Sequence, residues 1–151
     1  MTEDPLDADA VDQAFLTLAT GASTGFPIIA CLYTGKLPDH CAPMPRNPCP
    51  AIGLAIDEGL SAALIDAVRL NDAVHDGAIM FGRQTPALPY QVTGWSYRMF
   101  PPEGQVAPTA NRGSAFHSSL SMSLVVGVDR VYLVSNGSLH RFENGRWAVF
   151  D

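Results

Sequence analysis

The chain has 151 residues, of which 47% are hydrophobic and 16% are charged, and its formal net charge is −6. This composition excludes a disordered chain, and the length predicts one domain with its own core. The acidic balance, without any dense basic run, excludes a protein that wraps DNA or RNA but leaves room for a local site that binds a small nucleotide.

The N-terminal residues 1–9 are acidic, whereas a secretory signal begins basic and then turns apolar. No stretch reaches the roughly 18 to 20 continuous apolar residues that span a bilayer. We therefore expect a cytoplasmic protein with no membrane partner. Residues 7–20 then carry apolar side chains at helical spacing, and the apolar run over 26–33 predicts a buried strand.

Residues 37–50 contain five prolines, and they predict an extended loop because proline removes backbone donors and fixes φ. The same loop holds His40, Cys41 and Cys49. A zinc site needs about four ligands at close spacing, so we interpret these residues as part of the loop and not as a metal site. The odd number of cysteines also argues against a disulfide framework.

Residues 57–70 predict a second helix, because Leu60, Leu64 and Val68 recur every four residues. A short apolar run over 78–81 follows an Asp-Gly turn and predicts a central strand.

A proline-interrupted loop is expected over 82–90, and a returning strand over 91–100. Trp95 and Tyr97 are expected on one face of that strand, since side chains alternate with a period of two. The chain then loops as far as Ser114, and residues 117–126 fit either a helix or a strand.

The C-terminal residues predict a three-stranded meander. Asn136-Gly137 and Asn144-Gly145 are strong hairpin signals between alternating segments. Helices and strands mix along the chain without a regular βαβ repeat. We therefore predict an α/β fold, as a single domain with a central mixed β-sheet flanked by helices.

The segment Asp76-Gly77-Ala78 resembles the strand entry of diadenylate cyclase domains, which make cyclic di-AMP from two ATP. Other landmarks follow in the family's order. Phe100-Pro101 stands where the family has Leu-Pro, Gly113-Ser114 where it has Gly-Thr, and Ser135 where it has Ser-Glu-Glu. The resemblance covers about residues 57–147. It implies a diadenylate cyclase-like core over 57–151, into which a helix, a strand and the proline-rich loop of residues 1–56 are integrated.

Two departures from the family concern charged residues. Ala115-Phe116-His117 stands where the family has Arg-His-Arg, which contacts the ATP phosphates. Asn136-Gly137 replaces the family's acidic pair, which supports the metal and the nucleotide. Alanine and phenylalanine cannot bind a phosphate as the planar, permanently charged guanidinium does. The resemblance without these charges implies a non-catalytic nucleotide sensor.

The resemblance predicts a nucleotide-binding set with no catalytic residue and no metal ligand: Asp76, Gly77, Ala78, Met99, Phe100, Arg112, Gly113, Ser114, His117 and Ser135. The expected ligand is an adenine nucleotide or a cyclic dinucleotide, and no cofactor is expected.

Two alternatives stay open. One is an active diadenylate cyclase, which would need magnesium or manganese. The other is a protein-interaction module whose pocket is closed by Met99, Phe100 and Phe116. The family reacts across two facing sites, which implies a homodimer.

Overall fold

A computed structural model describes residues 8–21, 27–102 and 113–150 of the chain. Its helices are α1 (Ala8–Thr20), α2 (Leu60–Leu70) and α3 (Ser114–Met122), with a short 3₁₀ helix at Asp72–His75. Its strands are β1 (Ile28–Thr34), β2 (Cys41–Pro43), β3 (Ala78–Arg83), β4 (Gln91–Met99), β5 (Val128–Ser135), β6 (Ser138–Glu143) and β7 (Arg146–Phe150).

The seven strands form one mixed sheet in the order β2-β4-β3-β1-β5-β6-β7. The central strands β1 and β3 are parallel, and all other neighbouring pairs are antiparallel. A parallel pair needs a crossover connection, and α2 with the 3₁₀ helix lies within it. The predicted α/β fold, a single domain with a mixed sheet flanked by helices, is confirmed.

Helices cover both faces of the sheet. Alternate side chains of the central strands divide between a core under α1 and α2 and a second core under α3. Phe15 of α1 is fully buried in the first core, where it stacks on Tyr132 at 4.5 Å and meets the edge of Phe81 at 5.7 Å between ring centroids. Each aromatic side chain buried in this way contributes about 1.5–3 kcal/mol to folding.

The proline-rich loop differs from its prediction, because Cys41–Pro43 forms β2 and pairs with the end of β4. A proline is tolerated there because β2 is an edge strand with one unpaired side. The helix predicted from residue 57 begins instead at Leu60. The Asp57 carboxylate accepts a hydrogen bond from the Gly59 backbone N–H at 2.8 Å, which closes a turn before the helix.

The prediction that Trp95 and Tyr97 share one face of β4 is wrong. The register between β3 and β4 shifts twice, and Ser96 has a φ of 56°. A bulge interrupts the alternation of side chains, so residues two apart no longer share a face. Trp95 packs in the core under α1 and α2 and donates its indole N–H to the Ala51 carbonyl at 3.0 Å, whereas Tyr97 packs against the core under α3.

The ambiguous segment 117–126 is helical over its first half, and the helix begins earlier, at Ser114. Residues 103–112 lie outside the described part of the chain. The C-terminal meander is confirmed, with Asn136 and Asn144 at positive φ in the two hairpin turns. None of the helices within the described residues is long and apolar enough to cross a bilayer.

The described residues among the first 56 belong to the same fold as the rest of the chain. They supply α1, the central strand β1 and the edge strand β2. The boundary at residue 56 therefore falls within one continuous architecture. The division of the chain at that point stays a prediction from the resemblance.

The chain's two tryptophans test the bulge, because Trp95 is 4% exposed and Trp147 is 42% exposed. A Trp147→Phe variant retains Trp95, whose fluorescence we expect to be blue-shifted and poorly quenched by acrylamide. A Trp95→Phe variant retains Trp147, which acrylamide should quench readily. Circular dichroism would establish that both variants are folded. Equal quenching in the two folded variants would contradict the burial of Trp95.

Candidate functional site

The motif residues lie together where several strands begin or end, along the edge of the sheet that runs across the strands. β1 and β3 begin at this edge, and the antiparallel strands β4 and β5 end there. The pairing of Ile29 with Ala78, and of Ala78 with Tyr97, fixes the relative positions of the three strands. The turn before β3, the end of β4 and the end of β5 therefore lie side by side.

A solvent-open cleft of about 450 Å³ lies at this edge. Its lining residues come from the two central strands, the end of β4, the proline-rich loop and the first turns of α3: Ile29, Met44, Asp76, Gly77, Tyr97, Arg98, Met99, Ser114, Ala115 and Ser118. Four predicted site residues, Asp76, Gly77, Met99 and Ser114, are brought together here although they are distant in sequence.

Three other predicted residues lie close in sequence to the lining but do not belong to it. Ala78 is fully buried and forms part of the core under α3. Phe100 is 50% exposed, and its ring lies 6.4 Å from that of His40. Gly113 caps α3 immediately before Ser114.

Two of the remaining predicted residues, His117 and Ser135, do not line the cleft. The His117 ring lies edge-on to Phe116, with 5.9 Å between centroids. Ser135 pairs with Ser138 beside the hairpin turn, at the same sheet edge but outside the lining. Arg112 lies outside the described residues.

Gly77 is required by the protein's own backbone. Its φ is 81°, and a Cβ atom there would lie 2.7 Å from the Tyr97 carbonyl oxygen and 2.9 Å from the Met44 methyl group. Only glycine adopts this conformation without strain and leaves room for β4. The requirement for glycine at this position therefore has a reason within the fold itself.

Arg46 of the proline-rich loop is the main residue that the sequence analysis missed. One of its terminal nitrogens, Nη2, lies 3.6 Å from Asp76 Oδ2. Its Nε donates to the Ala73 carbonyl and to the Ser96 hydroxyl, each at 3.1 Å. No local pattern marks this arginine, because its partners lie 27 to 50 residues further along the chain.

The bulge in β4 provides the Arg46 contact. Ser96 is completely buried, and its hydroxyl donates to the Val74 carbonyl at 3.2 Å. The Ser96 carbonyl accepts the Met44 N–H at 2.9 Å. The loop that carries Met44 and Arg46 is therefore attached to the turn that precedes Asp76.

The cleft combines an apolar wall with a few polar groups. Among the described lining residues, Tyr97, Ser114 and Ser118 carry hydroxyl groups, and Arg98 is the one cation. Burial, and secondarily the neighbouring Cys41 and Tyr33, raise the pKa of the Tyr97 phenol. Tyr97 therefore presents a neutral hydroxyl at neutral pH. Ala115 lines the cleft where the resemblance expects an arginine, and it adds no charge.

The aromatic residues considered as a plug leave the cleft open. Phe116 is 4% exposed and packs edge-on against Phe142 and Trp147, at 5.0 and 5.4 Å between centroids. It lies in the core beneath α3 and does not line the cleft.

The donor set does not fit a divalent metal. Within the described ranges, no three His, Cys, Asp or Glu side chains converge on a point. Among the described cleft residues Asp76 is the one carboxylate, and Arg46 already pairs with it. Magnesium is bound through carboxylates and phosphates, and a single ion-paired carboxylate offers little. In the proline-rich loop, the Cys41 thiol donates to the Pro38 carbonyl at 3.3 Å.

No family model matches the sequence, and no curated protein matches it. Several solved structures share the fold, among them the following two. A hypothetical membrane spanning protein from Bacillus cereus superposes with a TM-score of 0.61 at 10% identity, covering 93% of this chain and 61% of the other. DacA from Staphylococcus aureus, as a double mutant, superposes with a TM-score of 0.55 at 13% identity, covering 93% and 86%.

The chain thus has the fold of the diadenylate cyclase DacA. This coverage of 93% extends the shared fold beyond residues 57–147, to which the sequence resemblance was limited. The chain spans 61% of the length of the Bacillus cereus protein. At these identities the likeness establishes the fold alone.

Substitution at Gly77 tests the strained turn. We expect Gly77→Ala to lower the free energy of unfolding by about 1–3 kcal/mol, because the Cβ atom meets β4 and φ stays positive. Gly113→Ala is the matched control, since its φ is −76° and no atom of the described residues lies within 4 Å of the added Cβ atom. Urea denaturation measures both variants. Equal stability of the two would contradict the close packing at Gly77.

Proposed function

We propose that this domain is a non-catalytic nucleotide sensor that binds an adenine nucleotide or a cyclic dinucleotide in the cleft beside Asp76. One observation carries the proposal. The cleft is open, and four residues that the family resemblance selected line it together, whereas Ala115 occupies the position of a phosphate-binding arginine.

The size and chemistry of the cleft support a small, partly apolar ligand. Its volume of about 450 Å³ falls within the usual range for ligand sites, roughly 300 to 1,000 Å³. Ile29, Met44 and Met99 offer apolar surface for a nucleobase, and the hydroxyls of Ser114 and Ser118 are candidate hydrogen-bonding groups.

The charges of the cleft argue against catalysis. Phosphoryl transfer depends on positioning and on neutralising the charge that develops on the phosphate. Ala115 contributes no cation, and Asn136-Gly137 forms a tight hairpin turn that contributes no carboxylate. Loss of one electrostatic donor alone costs about 10² to 10³ in rate.

Calorimetric titration of cyclic di-AMP, AMP and ATP tests the proposed binding. At least one of them should bind, and Ala115→Trp should weaken that binding by about tenfold or more, because the indole enters the cleft. Ala62→Trp, on the exposed face of α2, is the matched control and should leave the affinity unchanged. Absence of heat with every nucleotide, from folded protein, would reject the proposal.

An active diadenylate cyclase is the second candidate, and it is favoured by the position of Asp76 in the cleft with 69% of its side chain exposed. Incubation with ATP and magnesium or manganese, followed by chromatography, distinguishes the two functions. We expect no cyclic di-AMP, because the phosphate clamp and the acidic pair are absent from the matching positions. Product that forms in the unmodified protein and disappears in Asp76→Asn would establish the cyclase instead.

The third function that the sequence left open, an interaction module with a closed pocket, is not favoured, since the cleft is open.

The proposal includes a cytoplasmic location, no nucleic-acid polymer and no membrane partner. A homodimer or another protein partner is also included. The sensor's response would be passed to that partner.

A further inference from the structure

The carboxylate of Asp76 has a counter-charge built into the fold. Arg46 reaches it from the proline-rich loop, with 3.6 Å between Nη2 and Oδ2. The Arg46 side chain is 17% exposed and the Asp76 side chain is 69% exposed, so the guanidinium lies behind the carboxylate and away from solvent.

The guanidinium is held in place by neutral oxygens. Nε donates to the Ala73 carbonyl and the Ser96 hydroxyl, and Nη1 donates to the Pro45 carbonyl at 3.0 Å. These neutral acceptors orient the guanidinium without neutralising its charge. In the described part of the chain, the one ion pair of Arg46 is with Asp76.

The described charges at the cleft sum to a small positive value. Among the residues that the structure describes, Asp76 contributes −1, and Arg98 in the lining and Arg46 beside the carboxylate contribute +1 each, which gives +1. A phosphodiester carries one negative charge per phosphate group, whereas the terminal phosphate of a triphosphate alone carries about −1.5 to −2. The described charges therefore balance one phosphodiester group but fall short of a triphosphate.

A divalent ion at Asp76 would meet the positive charge of Arg46. The guanidinium lies 3.6 Å from Oδ2 of the carboxylate, and like charges at such a distance repel. The described residues offer no group of three metal-binding side chains, so Arg46 is the fixed positive charge next to Asp76.

We propose that Arg46 is the resident counter-cation of the cleft, which makes nucleotide binding independent of divalent metal and selective for phosphodiester nucleotides over triphosphates. This inference rests on the proposed nucleotide-binding function and defines its ligand class. Arg46 acts through Asp76 and is a positioning residue.

Calorimetry with cyclic AMP, cyclic di-AMP and ATP, each in EDTA and in magnesium, tests the inference. The unmodified protein should bind a cyclic nucleotide equally in both buffers and more tightly than ATP. Arg46→Gln should weaken this binding about fivefold in EDTA, the equivalent of one partly screened charge pair. Magnesium should restore part of the loss. Arg69→Gln removes an exposed arginine at the end of α2 and is the matched control, with no expected change.

The Asp76→Asn variant shows whether the effect of Arg46→Gln on binding is electrostatic or comes from damage to the loop. It keeps an acceptor oxygen but removes the negative charge, so the cyclic nucleotide should bind about threefold to fivefold more tightly. The double variant should return towards the affinity of the unmodified protein. Damage to the fold would weaken binding in every variant. It would not produce the tighter binding that we expect of Asp76→Asn.

The outcomes distinguish this inference from the proposed function. Binding that requires magnesium in the unmodified protein, or that favours ATP, would overturn the role of Arg46 and leave nucleotide binding intact. An Arg46→Gln variant that binds in EDTA as the unmodified protein does would also overturn it. Absence of binding by any nucleotide would reject both proposals.

Discussion

The parallel pairing of β1 with β3 at the centre of the sheet constrains the rest of the structure. Parallel neighbours cannot be joined by a hairpin, so the chain must cross from one end of the sheet to the other. The crossover places α2 over one face and returns the chain through a 3₁₀ helix to the edge where β1 begins. Because β4 and β5 run antiparallel to this pair, they end at the same edge. The turn at Asp76 is thereby placed beside the ends of both strands.

A second constraint is the bulge in β4, close to that edge. The buried hydroxyl of Ser96 lies where β4 departs from regular pairing, and it is needed as an acceptor for Arg46. A regular strand would point the residue at this position away from the loop. The bulge thus joins the proline-rich loop, the 3₁₀ helix and β4 into one unit behind Asp76. A carboxylate that would otherwise repel a phosphate is left paired with a guanidinium.

Periodicity and turn chemistry predicted most of the elements, because local patterns dictate them. The spacing of Leu60 and Leu64 predicted α2, and the Asn-Gly pairs predicted the C-terminal hairpins. The short edge strand β2 was missed, since three residues with a proline carry no pattern of their own. The face of Trp95 was also assigned wrongly. A bulge depends on what the strand packs against, which no single strand's sequence reveals.

The sequence by itself determined the α/β class and the Asp76-Gly77 turn before a central strand. It also determined that alanine stands at position 115, where the resemblance expects an arginine. These properties belong to single segments or to residue identity, and they do not depend on the rest of the chain. Only the tertiary structure decided that Asp76, Met99 and Ser114 line one open cleft and that Arg46 stands behind the carboxylate. Such contacts join residues that are tens of positions apart. Strand order, crossover and bulge create them together, and no local pattern records them.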